Sequence, residues 1–119
     1  MTRDWELVRE ILVKLEEKND TKGGLRPEEF QSHSREVVSY HIKLLIQAGL
    51  VEGKCSEALG APLYCFADSL TWEGHTFLDN IRNDNVWNKV KTVLKNKGIE
   101  LTFESIKIAA LEYLRSAIS

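Results

Sequence analysis

Residues 34–51 read SREVVSYHIKLLIQAGLV, and this stretch decides the fold. Ser34 stands where a hydroxyl can accept an orphan amide of a first helical turn, so a helix is expected to begin just behind it. Through Ala48, the residues Val37, Val38, His41, Leu44, Leu45 and Ala48 recur at helical spacing on one broad face, with Tyr40, Ile42 and Ile46 on the flank. Gly49 supplies the left-handed residue that commonly follows a helix, and Leu50-Val51 resume the chain as a strand. His41 falls on the core side and is expected to be a hydrogen-bonded, partly buried histidine rather than a catalytic base.

Downstream, the strand-forming runs 50–54 and 63–67 flank CSEALGAP, whose Gly60 and Pro62 suit a turn, so the two runs are expected to pair as a hairpin. Upstream, Trp5, Val8, Ile11, Leu12 and Leu15 mark an amphipathic helix over 4–18, closed by the turn formers of 19–24. The intervening segment 25–33 reads two ways, because Pro27 suits either the first turn of a short helix or an edge strand. Helix, turn region, capped helix, hairpin, helix is the order of a winged helix-turn-helix, in which the helix before the hairpin enters the DNA major groove. The expected class is therefore α+β, mainly α, with a two-stranded wing and additional C-terminal helices.

Those helices follow from the rest of the chain. Thr71 is a plausible cap for a helix whose apolar side is read as Trp72, His75, Phe77, Leu78 and Ile81, and these aromatic residues are expected in the core. Val86, Trp87, Val90, Val93 and Leu94 define a second helix, closed by Lys95, Lys97 and Gly98. A last helix starts near Thr102 and carries Phe103, Ile106, Ala110, Tyr113, Leu114 and Ala117 as its apolar stripe.

The chain has 119 residues, which suits one domain, read as a helix-turn-helix and wing over 1–70 and C-terminal helices over 71–119. With 43% hydrophobic and 29% charged residues it has the balance of a folded globular protein. No apolar run approaches the ~18 residues of a membrane span, and the charged start MTRDWELVRE argues against a signal peptide, so a cytoplasmic location without membrane contact is expected. In such a compartment Cys55 and Cys65 are expected to be reduced thiols, and the Asn19-Asp20-Thr21 glycosylation pattern is set aside. His33, His41 and His75 have no metal-ligand spacing, and no phosphate loop, GxSxG or HExxH motif occurs. Neither a metal, a cofactor nor an enzymatic activity is expected.

Net charge is −2, without the basic excess of a non-specific nucleic-acid coat. Duplex DNA binding, if present, is assigned to Arg35, Ser39, Tyr40, Lys43 and Gln47 on the outer face of the middle helix, with Lys54 at the wing. Arg and Lys can donate to guanine, Gln can pair with adenine, and Ser or Tyr can anchor phosphate. Glu36 and Glu57 count against that assignment, since each would approach phosphates. The alternative is a protein-interaction module that meets a partner protein through a basic face of Lys89, Lys91, Lys95 and Lys97, or through the acidic wing. A homodimer would double a weak DNA contact.

Three blocks carry a family resemblance: MTRDWELVREIL at the start, SYHIKLLIQAGLVEG in the middle, and LTWEGHTFLDNIRNDNVWNKVK after the hairpin. They resemble the phage- and prophage-associated bacterial family known as domain of unknown function 2513. The resemblance implies a small soluble phage-derived protein of winged-helix fold, whose protein partner in the alternative reading would be a host or phage protein, and it brings no activity or site residues with it. The segment PEEFQSHS departs from the family pattern, which tends to have a strand-like stretch before the capped helix.

Overall fold

A computed structural model of the chain describes residues 1–18 and 24–118. Of the turn cluster read over 19–24, residues 19–23, with the Asn19-Asp20-Thr21 triplet, lie outside the described residues. In order, the elements are α1 (Trp5–Glu17), a single 3-10 turn (Pro27–Glu29), α2 (Arg35–Gln47), β1 (Val51–Ser56), β2 (Tyr64–Leu70), α3 (Trp72–Ile81), α4 (Asp84–Asn96) and α5 (Phe103–Ile118). This is an α+β, mainly helical architecture with one antiparallel hairpin among the described residues. The chain divides into two compact units, Met1–His75 and Thr76–Ser119, with the division inside α3.

In the first unit α1 starts because the Asp4 carboxylate accepts the amides of Glu6 and Leu7, at 3.1 and 3.2 Å. Its apolar stripe, Leu7, Val8, Ile11, Leu12 and Leu15, is buried. Ser34 caps α2 as expected, its Oγ accepting from Val37 N at 3.2 Å. Gly49, at φ 78°, turns the chain out of α2 into β1. The buried side of α2 is Val38, Ser39, His41, Ile42 and Leu45, while Ala48 is exposed and Leu44 half-buried. The core face is therefore rotated from the one read in the sequence, because α2 packs against α1 on one side and the hairpin on another.

His41 is buried with both ring nitrogens engaged. Its Nδ1 lies 2.8 Å from the Val37 carbonyl and its Nε2 2.8 Å from the Asp4 amide. A carbonyl only accepts and an amide only donates, so the proton sits on Nδ1 and Nε2 is the acceptor. The imidazole thus ties the N-cap of α1 to α2.

Of the two readings of residues 25–33, the helical one holds: Pro27 opens a short helical turn and does not sit in an edge strand. Leu25 pairs with Ala67 as a one-residue antiparallel bridge, through N–H···O bonds of 2.6 and 2.9 Å, and Pro27–Glu29 then make one helical turn. Glu29 closes that turn by accepting the Arg26 amide at 2.8 Å and holding Lys18 at 2.9 Å. Its burial raises the carboxyl pKa, but these two partners outweigh that and the net shift is downward.

The hairpin corrects the expectation of free thiols: Cys55 and Cys65 are joined in a disulfide. Pairing begins as Val51↔Leu70 and Glu52↔Ser69, slips by one residue at Glu52/Gly53, and continues as Gly53↔Ala67 to Ser56↔Tyr64. That slip sets Cys55 opposite Cys65; an unbroken register would have faced it with Phe66. The two cysteines occupy a non-hydrogen-bonded pair, where side chains approach most closely, with Cα atoms 4.1 Å apart.

In α3, Thr71 Oγ1 accepts from Gly74 N at 3.0 Å, the expected cap. Phe77, Leu78 and Ile81 are buried, but Trp72 is 82% exposed and His75 is exposed, correcting their assignment to the core. The reason lies in the helix itself: His75, Thr76 and Asp79 are the neighbours of Trp72 at three, four and seven residues, so Trp72 shares a polar face.

The second unit is built on α4 and α5, which pack together. Asn83 caps α4 by accepting from Asn85 N and Val86 N, at 2.8 and 3.2 Å. Thr102 and Ser105 cap α5 reciprocally, each hydroxyl accepting the other's amide at 3.0 and 2.9 Å. Trp87, Val90, Leu94, Ile106 and Ala110 are buried, and the Phe77 and Phe103 rings meet edge to face at 5.3 Å.

Candidate nucleic-acid interface

Four residues share the outer face of α2 at three- and four-residue steps: Glu36, Tyr40, Lys43 and Gln47. Glu36 and Gln47 are exposed, and Tyr40 and Lys43 are half-buried. The Tyr40 ring stands edge-on to the His41 imidazole at 5.6 Å. Tyr40, Lys43 and Gln47 thus form a contiguous donor-rich strip.

Ser39 does not belong to this strip. It is fully buried and its Oγ accepts from Cys65 N at 3.0 Å. The bridge through Ala67 leaves the next amide on that edge of β2, Cys65, pointing away from β1, and Ser39 satisfies it. Arg35 also sits apart, 73% exposed and 4.0 Å from Glu28 on the 3-10 turn. Lys54 is exposed on β1, paired across the hairpin with Phe66.

Electrostatically the region is balanced. Lys43 is bonded to Glu57 of the hairpin loop and Arg35 faces Glu28, so two of the three assigned cations have carboxylate partners and Glu36 adds a third carboxylate. Tyr64 OH donates to the same Glu28, at 2.9 Å, and helps fix it beside Arg35. Beyond Glu57 the loop is uncharged through Leu63, and Leu59 at its tip is fully exposed.

The lysines read as one basic face are not brought together. Lys91 and Lys95, four apart, share a side of α4, but Lys89 lies about half a turn from Lys91 and Lys97 is the C-cap. Lys91 sits over the Trp87 ring at 5.2 Å. Among the described residues no three His, Cys, Asp or Glu converge on a point where a metal could sit, and no helix is long and apolar enough to cross a membrane.

Two exposed apolar residues were not singled out as site residues in the sequence: Leu59, inside the wing read over 54–63, and Trp72. The signal for Trp72 was its lack of apolar helical neighbours; Leu59, in a turn, has no comparable pattern. Comparison with known proteins adds a family. The family model described as "Hypothetical protein (DUF2513)" matches residues 2–100. A protein of Haemophilus influenzae (strain ATCC 51907 / DSM 11121 / KW20 / Rd), described as "Uncharacterized protein", is 46% identical over 110 residues, 92% of this chain and 92% of that protein. No solved structure matches the chain.

Proposed function

The chain belongs to the DUF2513 family, and from that premise we propose that it is a phage-derived, non-catalytic winged-helix module that contacts duplex DNA in the cytoplasm and acts in transcriptional control. The observation that carries this reading is the strip Tyr40, Lys43 and Gln47 on the outer face of α2, the helix that leads directly into the hairpin. The order α1, helical turn, α2, hairpin, α3 supports it, since winged helices use the helix before the hairpin for the major groove. Gln47 offers the amide that pairs with adenine, Lys43 the ammonium that donates to guanine, and Tyr40 a phosphate anchor.

Glu57 regulates how much of Lys43 is offered to DNA. The test is a matched pair of variants: Lys43→Glu lowers duplex affinity about tenfold, and Glu57→Gln, which frees Lys43, raises it severalfold. Affinity indifferent to both substitutions contradicts the reading.

A second reading has its own observation in favour. The balanced charge around α2, together with exposed Leu59 and Trp72, suits a protein partner that buries apolar side chains. In that case Leu59→Ser weakens partner binding, while Lys43→Glu leaves DNA affinity unchanged.

A further inference from the structure

We infer that α5 is a self-association surface, through which two copies of the chain pack their α5 helices antiparallel. On the side of α5 away from the buried Ile106 and Ala110, Ile108 is 58% exposed and Leu111 43%, apolar where a solvated helix would be polar, and Leu114, four residues beyond Ala110 at the margin of the buried stripe, is 36% exposed. Ile99, also exposed, and Ile108 line a groove of about 250 Å³ beside this strip, so the apolar surface extends past one helix face.

Charge pattern identifies the occupant. Glu104, Ile108, Leu111 and Arg115 follow one another at steps of four, three and four, the seam of a two-helix contact. A two-fold axis passing between Ala109 and Ala110 exchanges Ile108 with Leu111 and, in the same operation, Glu104 with Arg115. In an antiparallel pair each apolar residue therefore meets the other apolar residue, and each end of the seam closes with a Glu–Arg pair. A parallel pair would set Glu104 on Glu104 and Arg115 on Arg115, and like charges in facing positions repel. Such a seam is complementary to itself, as an isologous dimer interface must be. Lys107, on the flank, can lay its aliphatic stem along Leu114 of the second copy.

The surface is one helix pair, so the dimer is weak and forms with rising concentration. The association involves only residues of α5 and is measured without DNA, so its failure and the failure of the DNA reading are separate results.

Sedimentation velocity of the full chain over a concentration series tests it. The wild type is expected to shift from the monomer mass of 13.6 kDa toward twice that value. Glu104→Arg alone or Arg115→Glu alone sets like charges together and loosens the dimer about tenfold, and the double swap restores it. Leu111→Glu abolishes association, with circular dichroism confirming that the helices remain. The charge swaps keep the test decisive if Leu111→Glu fails to fold, because Glu104 and Arg115 are exposed. A wild type that stays monomeric at the highest concentration, or a dimer unmoved by the single swaps, overturns the inference.

Discussion

The hydroxyl of Ser39 accepts the backbone amide of Cys65 at 3.0 Å and so seals the edge of β2 beyond its one-residue bridge to Leu25. Removing that acceptor leaves a buried N–H without a partner, which costs about 1–3 kcal/mol. Ser39→Ala is expected to lower the unfolding free energy by that amount, read as a lower urea midpoint with an unchanged slope. Duplex affinity of the folded fraction should be unchanged. A variant as stable as the wild type would show that the amide finds another acceptor.

Gly74 gives a prediction opposite in sign to helix propensity. In an exposed helix, Gly→Ala stabilises by about 1 kcal/mol. Here an added Cβ meets the carbonyl of Leu50, and that carbonyl cannot withdraw freely because it accepts the Thr71 amide at 3.0 Å. Gly74→Ala is expected to destabilise by about 1–3 kcal/mol, the cost of overpacking. A raised melting temperature contradicts this.

Sequence and structure agree where a signal is local. Ser34 and Thr71 are caps because a hydroxyl in front of an apolar-periodic run meets the amide three residues on. What escaped the sequence depends on elements meeting. Ser39 looks like one more polar residue on a helix until the open edge of β2 is laid against it. The pairing of Cys55 with Cys65 depends on a bulge that shifts the hairpin by one residue. The candidate interface suffered most: residue types placed Tyr40, Lys43 and Gln47 on one face, but the carboxylates that engage Lys43 and Arg35 come from the hairpin loop and the 3-10 turn.

The Cys55–Cys65 bond closes a short loop, and a cross-link of this span stabilises by about 2–3 kcal/mol. The chain purified without reductant is expected to show no free thiol on denaturation, and Cys55→Ser to lose stability by that amount. Two titratable thiols in the unreduced protein would contradict the pairing.

Asp4 makes stability depend on acid. Its partial burial raises the carboxyl pKa, but the amides of Leu7 and Glu6 and the His33 ring at 3.1 Å outweigh this, and the net shift is downward. A carboxyl lowered in the folded state contributes stability that is full above its unfolded value, about 4, and is lost as pH falls through the lower folded value. Asp4→Asn keeps a capping side chain but not the charge. The variant is therefore expected to be less stable than the wild type at neutral pH, with the gap closing in acid. A gap of constant size across pH contradicts the assignment.

Whether the face of α2 meets duplex DNA is decided by an anisotropy titration. Purified protein is titrated against a labelled duplex from around its own gene and against a scrambled duplex, at low and at near-physiological salt. The expected result is a preference for its own duplex, and a log–log salt slope of about −2 per chain if Arg35 and Lys54 each neutralise a phosphate. No binding at low salt, or equal binding to the two duplexes, would contradict it.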